Sequence, residues 1–424
     1  MNHDNLKLGI IGLGYVGLPL AIEFGKLFPT LGFDVDKGRV DELKNGYDRN
    51  NEANGSELDE SHMLSFVYEE CDLSDCNVYI VTVPTPVDAN KNPNLKPLQS
   101  ASYLIGKHMR INDVVIFEST VYPGVTEEEC VPILEEASGL KYNQDFFCGY
   151  SPERINPGDK NRNLPSIVKV TSGSNEDIST FVDDLYRQII TAGTFKAKSI
   201  KVAEASKVIE NIQRDVNIAL VNELSIIFKH LGINIYDVIE AASTKWNFVP
   251  MQPGLVGGHC ISIDPYYLTY KSSQLNYSPD IILASRKINE NMGRYSAGLL
   301  IKAMIQKEIN IVKSKVLIMG LTFKEDCPDL RNTKVVDVIK ELEEYGVTTS
   351  VFDPVADMVE ATSLVGDSLI LEPETDHYDA VVITVPHGVF IKGGIKKIHH
   401  YAKAIRVIFD VKGRFDRELV DMTL

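Results

Sequence analysis

Residues 254 to 268, "GLVGGHCISIDPYYL", place a cysteine behind two glycines and a histidine, with an aspartate and a proline shortly beyond. Gly257 and Gly258 carry no side chains, so a ligand or another stretch of backbone can come close to the Cys260 sulfur. Asp264 and Pro265 read as the cap and first residue of a helix, which puts Cys260 in the turn ahead of it. Near a helix N-terminus a thiol's pKa falls. A cysteine is more often a small buried hydrophobe, and that is the expectation for Cys71, Cys76, Cys130, Cys148 and Cys327. Cys260, in its company of glycines and Asp264, reads as a nucleophile. The six cysteines lack paired C-x-x-C spacing, so neither a zinc site nor a disulfide framework is indicated.

A second constellation lies near the N-terminus. An apolar run at residues 6 to 11 leads into "GLGYVG" at 12 to 17, a helical pattern follows, and the strand "TLGFDVD" ends near Asp34. Gly12, Gly14 and Gly17 have the G-x-G-x-x-G spacing, which makes the turn tight and lets backbone N–H groups approach a pyrophosphate at the helix N-terminus. Asp34, about 20 residues on, would take the ribose hydroxyls and repel a 2′-phosphate, favouring NAD over NADP. A nicotinamide cofactor beside a nucleophilic thiol has a specific use. Taking a primary alcohol through the aldehyde to the acid requires the aldehyde to lose a second hydride, and cysteine makes that possible by forming a thiohemiacetal, then a thioester that water opens.

The elements that must hold these residues follow the same logic. Strands at 77–86 and 113–120 continue a parallel pattern, and Thr85 with the Glu118, Ser119, Thr120 cluster falls beyond their carboxyl ends, where ligands of doubly wound sheets sit. From Thr194 to Leu231 there is no proline, and Ile200, Val208, Ile212, Val216 and Ile227 recur at near-helical spacing, so one long helix is expected as connector and subunit interface. Lys207, Asn211 and Arg214 share one face of it, a kind of face that is commonly solvated. The last third repeats the first: strands at 315–321, 348–354 and 379–386, a helix at 333–345, and "ITVP" echoing "VTVP". Its first turn, "GLTFKEDCPDLRN", lacks the dinucleotide glycines and offers Lys324 and Arg331, which suits a nucleoside diphosphate. The expected fold class is α/β, two doubly wound Rossmann-like domains (1–193 and 301–424) joined by a long central helix in a connector, 194–300, that carries Cys260.

Composition narrows the partners. The 424 residues are 44% apolar and 24% charged, enough for a large core, and 59 acidic against 43 basic residues leave a formal charge of -16. Such a chain repels nucleic acid and anionic membrane surfaces. The run "LGIIGLGYVGLPLAI" contains four glycines and a proline, has no basic flank and no cleavage pattern, and nothing else reaches the ~18 apolar residues of a membrane span. A cytoplasmic enzyme is expected.

The motifs "GLGYVGLPLA", "VPTP", "ESTVYPG", "SPER", "GGHC" and "FKED", in this order, resemble the UDP-glucose/GDP-mannose dehydrogenase family over essentially the whole chain. By that resemblance Cys260 is the nucleophile, Lys207 and Asn211 hold the oxyanion, Asp264 and Thr120 position a water, and Glu153 is a base for thioester hydrolysis. Tyr15, Val16, Asp34, Arg39, Thr85 and Thr120 would touch NAD; Arg154, Ile155, Phe323, Lys324, Arg331 and Lys412 would touch the UDP-sugar. "NIQRDVNIALVNE" at 211 to 223 and "KWNFVPMQPGLVGGHCISIDPYY" are similar to the branch that oxidises UDP-N-acetylhexosamines for surface polysaccharides, with Arg214 and the residue before the cysteine, His259, among its marks; Lys207, Asn211, Arg214 and Gly257 would also touch the substrate. Where the UDP-glucose branch sends an arginine across the subunit interface, this chain has Thr244, Lys245 and Trp246. The resemblance implies a homodimer or higher homo-oligomer and no metal. The alternatives are a UDP-glucose 6-dehydrogenase, a two-electron hydroxyacid dehydrogenase, which would need neither the second sheet nor Cys260, and a nucleotide sensor, which has no use for a nucleophile.

Overall fold

The computed structural model describes residues 6–50, 52–88, 90–155 and 163–424. The chain divides into two compact units, Met1–Glu210 with Tyr266–Tyr277, and Asn211–Pro265 with Ser278–Leu424.

The first unit is built on eight strands: β1 (Leu8–Ile11), β2 (Thr30–Phe33), β3 (Leu64–Val67), β4 (Val78–Val81), β5 (Val114–Phe117), β6 (Phe147–Tyr150), β7 (Lys169–Gly173) and β8 (Thr194–Lys196). Their order is β3-β2-β1-β4-β5-β6-β7-β8, parallel except for β6 against β7. Strands β1, β4 and β5 are buried at every position, the continuous apolar reading that a parallel sheet covered on both faces requires. Leu8, Ile10, Phe24, Ile80, Ile116, Val182 and Tyr186 belong to the core. The order reverses between β1 and β4, and the crevice beyond those strand ends is where such sheets take ligands.

The second unit carries β9 (Lys315–Met319), β10 (Thr348–Phe352), β11 (Tyr378–Ile383), β12 (Ala402–Asp410) and β13 (Met422–Thr423), ordered β10-β9-β11-β12-β13 with every pair parallel. The internal repeat reaches individual hydrogen bonds. Gly12 and Gly320, each following the first strand of its sheet, have φ of 96° and 95°. The threonine of each "TVP" reaches that glycine, Thr82 Oγ1 donating to Gly12 O at 2.8 Å and Thr384 Oγ1 to Gly320 O at 2.6 Å. The acid after each second strand takes the next backbone N–H, Leu13 N to Asp34 Oδ2 at 2.8 Å and Leu321 N to Asp353 Oδ2 at 2.6 Å.

The connector helix is Ile200–His230, 31 residues long. It starts later than the expected Thr194 because Thr194 and Phe195, residues that suit a pleated surface, pair with Lys169 and Val170 as β8. Ser199 marks the true start, its Oγ accepting from Val202 N at 3.3 Å. Among the described residues no helix is long and apolar enough to cross a membrane.

Candidate active site

The turn after β1 is shaped for an anion. A Cβ on Gly17 would lie 1.8 Å from Gly12 O, so only glycine closes the turn, whereas one on Gly14 would point into open space. The helix Gly17–Gly25 that follows has Val16 at its cap, no side-chain cap bond among the described residues and no acid in its first turn, which leaves its N-terminal N–H groups suited to an anion. Tyr15 and Val16 lie in this turn, half-buried. Asp34 closes β2, with Oδ2 taken by Leu13 N and Oδ1 by Asp36 N at 2.9 Å. Arg39 is buried, its guanidinium paired with Asp48 at 2.7 Å and its Nε donating to Leu13 O at 3.0 Å. Asp34 and Arg39 thus grip both backbone groups of Leu13 and hold the glycine turn. These features fit NAD: an open cradle at Gly14, an uncapped helix end and an acid beside the turn.

The equivalent acid of the second sheet offers nothing to a ribose. Asp353 accepts from Leu321 N, Thr322 N, Val355 N and Ala356 N and meets His387 Nε2 at 3.1 Å, with the Asp353 and His387 side chains both out of solvent. Burial pushes its pKa up, but His387 and the backbone donors outweigh it and hold the carboxyl at about 2.

Beyond β4 and β5, Thr85 Oγ1 donates to Thr120 O at 2.6 Å, and Tyr267 donates to Thr85 O. Beneath them lies a buried charge cluster that the sequence did not disclose. Lys169 Nζ sits 2.6 Å from Glu118 Oε2 and 3.0 Å from Glu153 Oε2, and Tyr186 donates to Glu118. Burial pushes Glu118 up to about 7, with Lys169 opposing. Glu153 Oε1 receives the N–H groups of Arg154 and Ile155, both at 2.5 Å, so this carboxylate shapes the 153–155 turn. Arg154 pairs with Glu210 at 2.7 Å and donates to Val168 O, while Ile155 packs against the apolar core.

On the connector helix the expected polar face is not uniformly solvated. Lys207 is 9% exposed and its side chain makes no hydrogen bond or ion pair among the described residues, whereas Arg214 is exposed. A lysine that is buried without a carboxylate is rarely structural. Asn211, 5% exposed, donates through Nδ2 to Asp264 Oδ2 at 2.5 Å.

Cys260 is half-buried, and its carbonyl accepts from Ile263 N at 3.1 Å and Asp264 N at 2.9 Å, a turn that runs into the helix Asp264–Gln274 as the Asp-Pro pair implies. What comes close to the two glycines is another part of the chain. A Cβ on Gly257 would stand 2.9 Å from Asn332 O, and one on Gly258, whose φ is 86°, 2.9 Å from the Phe323 ring. Phe323, Lys324 and Arg331 therefore share one loop packed on the cysteine turn. Lys324 Nζ lies 5.5 Å from the Phe323 ring centre, Arg331 forks onto Asp329, and Lys412 pairs with Glu325 at 2.8 Å. Of the other cysteines, Cys76, Cys130, Cys148 and Cys327 are buried as expected, with burial pushing Cys76 and Cys130 up to about 12; Cys71 is exposed instead, in the short helical stretch Glu70–Asp75.

Three consecutive parts of the chain match the NAD binding domain (6–190), central domain (201–291) and UDP binding domain (317–417) of the UDP-glucose/GDP-mannose dehydrogenase family. The chain is 54% identical to a UDP-N-acetyl-D-glucosamine 6-dehydrogenase of Pseudomonas aeruginosa, covering 99% of this chain and 100% of the relative. It is also 54% identical to one of Salmonella typhi, covering 99% of both. Its fold matches the solved structure of a UDP-D-ManNAc dehydrogenase from Pyrococcus horikoshii with a TM-score of 0.86 at 29% identity, over 97% of this chain and 96% of that one. With all three parts matched in order, the chain belongs to the UDP-glucose/GDP-mannose dehydrogenase family of NAD-dependent oxidoreductases.

Proposed function

We propose that this chain oxidises the C6 hydroxymethyl of a UDP-N-acetylhexosamine, UDP-N-acetylglucosamine in preference to UDP-N-acetylgalactosamine, to the UDP-uronic acid in the cytoplasm, for surface polysaccharide synthesis. The observation that carries the chemistry is the Cys260 turn: a half-buried thiol at the start of a helix whose first residue, Asp264, is held by Asn211 at 2.5 Å. The names of the two relatives at 54% identity support the substrate.

Bound at the Gly12–Gly17 turn, NAD supplies the hydride acceptor. The chain's own residues do the rest. Lys324, Arg331 and Lys412 hold the diphosphate, as fixed cations do in an acidic protein. The Cys260 thiolate adds to the C6 aldehyde, and the oxyanion that forms meets Lys207 and the second N–H of Asn211, the first being committed to Asp264. After the carbon is oxidised to a thioester, water held by Asp264 and Thr120 attacks, the C–S bond breaks and the carboxylate leaves the thiolate behind. Glu153, whose Oε2 stands 3.0 Å from Lys169 Nζ, is the base assigned to this hydrolysis. From alcohol to carboxylate, four electrons leave and one water oxygen enters. Purified protein assayed for NADH with UDP-GlcNAc, UDP-GalNAc, UDP-Glc and GDP-Man tests the substrate: turnover should be fastest with UDP-GlcNAc, and a clear preference for UDP-Glc would overturn the N-acetyl reading.

Asp34→Ser should weaken NAD and relax discrimination against NADP by on the order of tenfold to a hundredfold, because the charge facing a 2′-phosphate is gone. An unchanged NAD/NADP ratio in kcat/KM would take the ribose away from Asp34. We also propose a homodimer through the second unit, where Leu220, Ile227, Leu231 and Trp246 are exposed. A monomer mass by light scattering at assay concentration would refute it.

A further inference from the structure

The stretch leading to Cys260 is rich in glycine at 254, 257 and 258, and such backbone does not hold a sulfur in place by itself. It is fixed at two points by side-chain amides to which the reaction scheme gives no part. Upstream, Asn222 takes both backbone groups of Gly254, Nδ2 donating to Gly254 O at 3.1 Å and Gly254 N donating to Oδ1 at 2.8 Å. Asn222 is fully buried and donates also to Asn289 Oδ1 at 2.8 Å, and Asn289 donates to Asp215 Oδ1 at 2.8 Å, where Arg286 Nη1 joins at 2.5 Å. The upstream end is thereby tied to two helices, Ile200–His230 and Asp280–Gln306. Downstream, Gly258 N donates to Arg331 O at 3.2 Å, and Asn332 Nδ2 donates to Gly258 O at 3.1 Å. Asn332 has φ of 52°, a conformation asparagine tolerates, and follows directly on Arg331 in the loop that carries Phe323 and Lys324.

We propose that Asn332 and Asn222 are positioning residues for Cys260, pinning the two ends of residues 254–258 so that the sulfur stands at the place of attack. They touch no reacting atom; each acts through the backbone of a glycine. The inference rests on the covalent reading of Cys260, and it ties the nucleotide-side loop to the backbone two residues before the thiol. Nothing else in the 254–258 stretch has a side chain able to replace these amides, since its other members are Leu255 and Val256.

Two variants isolate the downstream pin. Asn332→Gly removes the amide without strain at positive φ, and Asn332→Asp keeps the shape but cannot donate. In both, kcat with UDP-GlcNAc should fall roughly tenfold to a hundredfold, the penalty of a misplaced reactive group, while KM for UDP-GlcNAc and for NAD stays within about threefold. A second readout needs no turnover. In the intact protein the rate of iodoacetamide labelling at Cys260, followed by peptide mass spectrometry relative to exposed Cys71, should rise at least about threefold as the turn loosens. Asn222→Ser should act in the same direction; if it fails to fold, the Asn332 pair still decides. Wild-type kcat and an unchanged Cys260/Cys71 ratio in both Asn332 variants would overturn the proposal, as would a kcat loss accompanied by weaker NAD binding or a lower melting temperature, which is the mark of a general structural role. If the wild-type protein forms no NADH from any UDP-sugar, the covalent reading fails, and the labelling ratio alone then decides whether the amides hold the turn.

Discussion

Cys260→Ser is expected to abolish steady-state uronic acid production, by at least about a thousandfold, while NAD and UDP-sugar still bind. A hydroxyl is far less acidic than a thiol and its ester is a poorer acyl intermediate, so addition to the aldehyde, loss of the second hydride and hydrolysis should all slow. The first oxidation does not use the sulfur as a nucleophile. The variant should therefore pass part of the way and stop, with a covalent ester on the introduced serine detectable by intact-protein mass spectrometry. The side chain exchanges one small group for another, and the bonds that Cys260 O accepts from Ile263 N and Asp264 N are backbone bonds that the substitution leaves in place, so the fold should survive. Uronic acid made at the wild-type rate would return Cys260 to packing.

Lys207→Ala should lower kcat by about a hundredfold to a thousandfold with a much smaller change in KM, because a cation facing an oxyanion acts on charge that develops only in the transition state. The structural basis is its isolation. Lys207 is 9% exposed, without a carboxylate or hydrogen-bond partner among the described residues, whereas the more deeply buried Lys169, 2% exposed, has two glutamates. Burial of an unpaired ammonium costs stability, so the alanine variant should melt no lower than the wild type. A raised KM with normal kcat would remove Lys207 from the oxyanion.

Cys260 was legible in the sequence for local reasons, whereas Lys207 stood on a face that reads as solvated and took its role from the family resemblance. The glycines, Asp264 and Pro265 around Cys260 announce a turn and a helix start within a few residues, and the structure has that turn and that helix. The G-x-G-x-x-G turn and Asp34 were equally readable, because strand, turn and helix follow one another along the chain and the acid ends the next strand. The hidden parts are those whose meaning depends on distant partners. Lys169 stands in "SIVKVTSG", a pattern that says strand and nothing about Glu118 and Glu153. Strand β8 was absorbed into the connector because lack of proline permits a helix without requiring one, and its pairing with β7 decided the matter. Asp353 matches Asp34 by position, yet only the packing of His387 shows that its carboxylate is sealed. Asn222 reads as one more polar helix position; its grip on Gly254 comes from a contact 32 residues away.

The central claim is a four-electron oxidation on one active-site thiol. It is tested most directly by counting NADH formed per UDP-GlcNAc consumed by the wild-type protein, with the sugar product identified by mass spectrometry. Two NADH per UDP-sugar with only the uronic acid released is the predicted result, since the aldehyde stays on Cys260 until it is oxidised again. One NADH per UDP-sugar with free aldehyde as product, or none with any UDP-sugar, would contradict it.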